Sequence, residues 1–115
     1  MITKDRQAAR KVFQMQCQIC KAMAHPARLE IVELLNLRNM SAAVLIGQLE
    51  TSKANLSKHM AILMQVGIVD ATRDGRNVSY RLTHPEIHEA CKIMRSVLYR
   101  RLKQGEKLAS TIGRR

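Results

Sequence analysis

Tryptophan is absent, and Phe13, Tyr80 and Tyr99 are the only aromatic residues among 115. So few rings exclude a single-strand nucleic-acid binder that stacks bases on exposed aromatic side chains. Glycine (5) and proline (2) are scarce as well, which leaves few chain breaks, no low-complexity tract and no solenoid-type repeat. No run approaches the ~18 consecutive apolar residues of a membrane span. The first residues, Met1 to Arg6, lack the apolar block of a signal peptide, so a cytoplasmic protein with no membrane partner is expected. Three cysteines are too few, and odd in number, for a complete disulfide framework; reduced thiols are expected. Acidic residues are the last shortage, 9 of them against 20 Lys and Arg, for a net charge of +11.

That surplus of positive charge exceeds what solubility needs and asks for a polyanionic partner, nucleic acid first and an anionic membrane surface second. Without stacking rings, a duplex held through its phosphates fits better. With 46% hydrophobic and 25% charged residues, residues 1–115 read as one domain with one core.

The patterning is mostly helical. At about 100° per residue, Ala8, Val12, Met15, Ile19 and Met23 share one stripe, and Ala9, Phe13, Cys17 and Cys20 the next, which predicts a helix over residues 5–24. Its apolar sector covers roughly half the circumference, wider than the ~100° needed against one core, so a second protomer is implied. His25-Pro26 stops that helix and Pro26 opens another, to about Asn36, with Leu29, Ile31, Val32, Leu34 and Leu35 inward. Ser41 is a candidate N-cap for a short helix over residues 42–48. Ser52 can cap a fourth helix, about 52–65, that turns Leu56, Met60 and Leu63 inward and stops at Gly67. Its outer face, Ala54, Ser57, Lys58 and Ala61, is small and polar, so a duplex can approach it closely.

Beyond Gly67 the period shortens towards two. Residues 68–73 and 77–82 predict a β-hairpin with a basic tip around Asp74-Gly75. Thr83 and Glu86 form a capping-box pattern around Pro85. They open a last helix over about 84–104, with Ile87, Ala90, Cys91, Met94, Val97, Leu98 and Leu102 on one stripe and a basic, frayed end after it. The expected architecture is mainly α with a small β-hairpin. Short helix, turn, outward polar helix and basic hairpin follow the order of a winged helix-turn-helix. The major groove admits one α-helix, whose side chains reach base edges while flanking elements hold phosphates.

Four segments carry a resemblance: Lys21-Ala-Met-Ala-His-Pro-Ala-Arg-Leu-Glu-Ile-Val-Glu-Leu-Leu35, Leu56-Ser-Lys-His-Met60, Val66-Gly-Ile-Val69 and Asp74-Gly-Arg-Asn-Val-Ser-Tyr-Arg-Leu82. Over about residues 19–87 the sequence resembles the ArsR/SmtB family of bacterial repressors. The resemblance implies a homodimer, joined through its first and last helices, that sits on operator DNA with palindromic half-sites and leaves when an inducer binds. It also implies DNA contacts from Ser52, Lys53, Asn55, Ser57, Lys58 and His59 on the recognition helix and from Arg73, Arg76 and Asn77 on the wing. By the angular count His59 falls towards the inner side of its helix, where packing competes with base contact. Arg73 and Arg76 either hold phosphate or the minor groove, or are solvated charges.

The family's sensing sites are not reproduced. Residues 42–48 lack the cysteine pair of arsenite- and cadmium-type members. Glu86-x-His88 resembles the opening of the zinc site on the last helix, but Tyr99 and Leu102 stand where its later ligands would be. Cys17, Cys20 and Cys91 are the alternative sensor, as ligands of As(III) or another thiophilic ion or as a redox or reactive-sulfur switch with no cofactor. They compete with a core reading, because free cysteine is commonly a small buried hydrophobe. His84, His88 and Cys91, at i, i+4 and i+7, are a further metal candidate for zinc or copper. Two other functions remain open: a constitutive or non-specific nucleic-acid-binding protein with structural cysteines, and a thiol-disulfide oxidoreductase using Cys17-Gln-Ile-Cys20. The second is disfavoured because that pair lies inside a helix rather than at its amino terminus, where the dipole lowers a thiol pKa.

Overall fold

Pro26 sets the first boundary of the fold. Helix α1 (Arg6–Met23) ends before it, His25 is extended at φ −154, and Pro26 takes the first turn of α2 (Pro26–Leu37), where its missing N–H is harmless. The His25 Nδ1 accepts from the Ala27 amide at 3.1 Å and so caps the new helix. The structure, a computed structural model, describes residues 5–113.

Two serines start the next helices. Ser41 Oγ accepts from the Val44 amide at 3.2 Å at the head of α3 (Ala42–Leu49), and Ser52 Oγ accepts from the Asn55 amide at 3.1 Å at the head of α4 (Lys53–Gln65). Each hydroxyl satisfies one of the amides that a helix start leaves unpaired. Ser52→Ala is expected to destabilise the protein by about 1 kcal/mol, seen as a lower urea midpoint; an unchanged midpoint would mean that water serves the Asn55 amide equally well.

At the far end of α4, Gly67 takes φ +78, the left-handed conformation that glycine tolerates. The Gly67 amide donates to Met64 O and the Ile68 amide to Leu63 O, both at 3.0 Å, which completes a Schellman stop. The hairpin follows as β2 (Val69–Asp74) and β3 (Asn77–Leu82), antiparallel, with Asp74 opposite Asn77. Its two-residue loop is Gly75-Arg76, and Gly75 at φ +61 supplies the positive φ that such loops need.

The sheet has a strand the sequence reading missed. The patterning places no strand between the second helix, ending near Asn36, and the Ser41 cap, but β1 (Met40–Ser41) pairs with β3, Met40 opposite Tyr80, giving the order β1-β3-β2. Two residues are too short to show a period, so nothing local announces the strand. Thr83 also departs from expectation. Its hydroxyl does not close a capping box but donates to the Gly67 and Ile68 carbonyls, while its amide donates to Ile68 O at 2.9 Å.

The core lies where the helices cover one face of this sheet. Ile31, Val32 and Leu35 of α2, Leu45 of α3, Leu56, Met60 and Leu63 of α4, and Ile68 are all at most 3% exposed, and Met40 and Tyr80 close the sheet side. From α1 only Ala22 and Met23 are buried. Leu29, expected inward, is 37% exposed.

The chain divides into two units, everything up to His84 and the segment from Pro85. The second is the single helix α5 (Pro85–Gly113), nine residues longer than the expected end at 104. Gly105 keeps a helical backbone there, because an exposed glycine costs only about 1 kcal/mol and the Lys, Gln and Glu around it are good helix formers. The expected frayed end is thus helical as far as residue 113, and residues 114–115 lie outside the described residues. Among the described residues no helix is long and apolar enough to cross a membrane.

Candidate nucleic-acid interface

Once Leu56, Met60 and Leu63 commit one side of α4 to the core, the helical period fixes what faces outward. Lys53, Ala54, Asn55, Ser57, Lys58 and Ala61 are all exposed. Ser52, also exposed, has its hydroxyl committed to the helix start. On the wing, Arg76 sits in the tip loop, with Arg73 and Asn77 beside it, all three exposed. Among the described residues none of Lys53, Lys58, Arg73 and Arg76 has a carboxylate partner. These four charges are therefore available to an external anion.

The wing is held in register by its own ion pair. Asp70 and Arg81 face each other across β2 and β3, with Arg81 Nη2 at 2.9 Å from Asp70 Oδ2. The hydrogen bond from Arg81, and after it one from the Ala71 amide, holds the Asp70 carboxyl below the usual carboxylate range. The pair is exposed, so its worth lies in geometry more than in stability.

His59 turns inward. Its ring lies tilted against that of His25 with centroids 4.6 Å apart, and its Nδ1 is buried without a hydrogen-bond partner among the described residues. Burial first, then the charges of His25 and Arg28, lower its pKa from 6.5. A histidine that resists protonation when folded makes folding oppose protonation. As pH falls through about 6.5 the unfolded chain takes up a proton that the folded one does not. Stability therefore falls until the lowered folded value is passed, and then levels off. His59→Gln is expected to lose less of its urea midpoint between about pH 7.5 and about pH 5 than the parent does; equal losses would show that other groups carry the dependence.

The cysteines lie on helices other than α4. Cys17 and Cys20 are exposed one turn apart in the second half of α1, Cys91 is half-buried on α5, and none is in a disulfide. His88 is buried on α5, whereas His84 is exposed ahead of the helix and so is not on its face, contrary to the expected i, i+4, i+7 line. Among the described residues no three His, Cys, Asp or Glu side chains group to hold a metal ion.

Residues 25–71, spanning α2 to the start of the wing, match the family of bacterial regulatory proteins named arsR. The uncharacterized HTH-type transcriptional regulator Rv0081 of Mycobacterium tuberculosis is 37% identical over 92 residues, which cover 77% of this chain and 79% of that one. The chain belongs to the ArsR family. As an ArsR-family protein it is a DNA-binding transcriptional regulator, and the oxidoreductase alternative falls with that assignment. The crystal structure of Rv0081 superposes with a TM-score of 0.72 at 34% identity, covering 81% of this chain and 94% of that one. The transcriptional activator HlyU of Vibrio cholerae is 34% identical over 66% of this chain and 70% of its own. A homodimeric winged helix-turn-helix DNA-binding domain, Mb0332 of Mycobacterium bovis, shares the fold at 23% identity, with a TM-score of 0.74 over 87% of this chain and 91% of that one.

Sequence reasoning passed over one group. Lys21 and Arg28 figured only in the first segment that carries the family resemblance, yet both line a cleft between α1, α2 and α4. Only the tertiary crossing of these helices brings them together.

Proposed function

We propose that this regulator is a homodimeric repressor. It reads an operator with palindromic half-sites through Lys53, Asn55, Ser57 and Lys58, anchors on phosphate or the minor groove through Arg73, Arg76 and Asn77, and leaves when an inducer reaches its thiols. The observation that carries the DNA reading is the exposed small polar face of α4 followed, on the same unit, by a wing whose tip arginines, Arg73 and Arg76, have no carboxylate partner among the described residues. Ser52 fixes the start of the reading helix, and His59 supports it from below by packing on His25.

Two uncovered apolar faces support the dimer. Val12, Phe13 and Met15 of α1 are 53–62% exposed, and Ile93, Met94, Val97, Leu98 and Leu102 of α5 are 45–73% exposed. Large apolar side chains exposed together are what a protein interface would cover, and Mb0332, which shares the fold, is described as a homodimer. Two reading helices related by a twofold axis would meet successive major grooves.

The decisive experiment titrates labelled duplexes carrying candidate palindromes against random duplex, between about 50 and about 200 mM salt. A preference for one palindrome that survives at the higher salt supports the repressor. Equal binding of every duplex would return the chain to a non-specific coat.

Cys17 and Cys20 support the sensing proposal because both thiols are exposed and one turn apart, within reach of a soft ion such as As(III) or of an oxidant or persulfide. Inducer action is linkage: DNA is released only as far as the inducer binds the DNA-incompetent form more tightly. The Cys17→Ser, Cys20→Ser, Cys91→Ser variant is expected to stay on DNA in arsenite and in a persulfide donor, while the parent leaves it. A variant that responds like the parent would remove the thiols from the mechanism.

A further inference from the structure

The crossing of α1, α2 and α4 leaves a cleft of about 350 Å³, inside the range of about 300–1,000 Å³ typical of small-molecule sites. It is two-sided in character. Ala22, Ile62 and Val66 give it an apolar side, and Lys21 and Arg28 bring two positive charges to it, with the amides of Gln18 and Gln65 beside them. No carboxylate lines it, and among the described residues neither Lys21 nor Arg28 has an ion-pair partner. Arg28 is also half withdrawn from solvent, and its Nε is buried with no hydrogen-bond partner among the described residues. The Nε of a guanidinium so placed lacks a partner, the group has no counter-charge, and its fork of donors matches a carboxylate or phosphate group.

We infer that this cleft binds a small organic anion, a carboxylate or phosphate monoester with an apolar body of roughly ten heavy atoms. The charged head would meet Lys21 and Arg28, and the body would lie on Ile62 and Val66. This assignment rests on the cleft alone and needs neither an operator nor a reactive thiol, so it stands or falls separately from the repressor reading. Ile62 and Gln65 belong to the reading helix and Gln18 to α1, so an occupant touches both.

The test is an amide-resonance titration of the full chain, free of DNA, with benzoate and with phenyl phosphate. Benzamide and inorganic phosphate are the controls that lack the charge or the body. Saturable shifts confined to residues 18–28 and 62–66, with half-saturation at about 1 mM or below, are expected for benzoate, phenyl phosphate or both, and whichever binds identifies the head group. Lys21→Gln with Arg28→Gln should weaken that binding by at least about 10-fold. Lys21→Gln alone, at an exposed position, should weaken it without disturbing the fold. The inference is overturned if neither probe saturates these resonances, if the double variant binds as the parent does, or if benzamide or inorganic phosphate binds as tightly.

Discussion

Replacing Lys58 with alanine is expected to lower operator affinity by roughly 5- to 150-fold, the range of a lost base contact of about 1–3 kcal/mol. Lys58 is exposed on α4, has no carboxylate partner among the described residues and takes no part in the core. The substitution should therefore leave the fold within about 0.5 kcal/mol of the parent, and the loss can be assigned to the complex. Two measurements separate its possible roles. If Lys58 reads a base, the loss on the operator far exceeds the loss on random duplex, and discrimination relaxes at one base pair. If it holds a phosphate, both duplexes lose alike and the slope of log affinity against log salt falls by about 1. The base-reading role is the one predicted, because Ser57 and Lys58 sit on the small polar face that lets the helix approach the groove floor. Equal losses on both duplexes would refute it.

Leu63→Ala is expected to have the largest effect on stability, about 3 kcal/mol within a range of 2–5. Leu63 is 0% exposed on the inner stripe of α4, beside Met60 at 0% and Leu56 at 2%, so its removal leaves a cavity that its neighbours can fill only in part. Its carbonyl also accepts the Ile68 amide that ends the helix. Against a total of about 5–15 kcal/mol for a domain, such a loss brings a sizeable unfolded fraction within reach of mild denaturant. The urea midpoint should drop while its slope stays constant, since the surface exposed on unfolding is nearly unchanged. DNA affinity per folded molecule should stay near the parent's. A loss under about 1 kcal/mol would mean that the core does not depend on this stripe.

The elements that local chemistry dictates were legible in the sequence. Pro26 after His25, Ser41 and Ser52 before apolar stripes, Gly67 after Gln65 and Gly75 between two β-rich runs each act through neighbours a few residues away. What the sequence hid depends on partners far along the chain. Met40–Ser41 becomes a strand only because β3 returns beside it some 40 positions later. Thr83 looked like a helix cap because Glu86 stands three residues on, and its hydroxyl is instead claimed by the Gly67 and Ile68 carbonyls. Of the candidate interface, Ser57 and Lys58 were readable from the helical period once the inner stripe was known, whereas Lys53 and Asn55 came only with the family resemblance. The inward turn of His59 was visible only as a tendency of the angular count, because its partner His25 lies 34 positions away.

The bonds from Thr83 have a mechanical consequence. They fasten the root of the hairpin to the turn that terminates α4, through two carbonyls and one amide. Helix and finger are thereby riveted at one joint, like the two arms of a caliper set to a fixed opening. The opening between them is decided within one subunit. A push on either arm is then passed to the other through this joint.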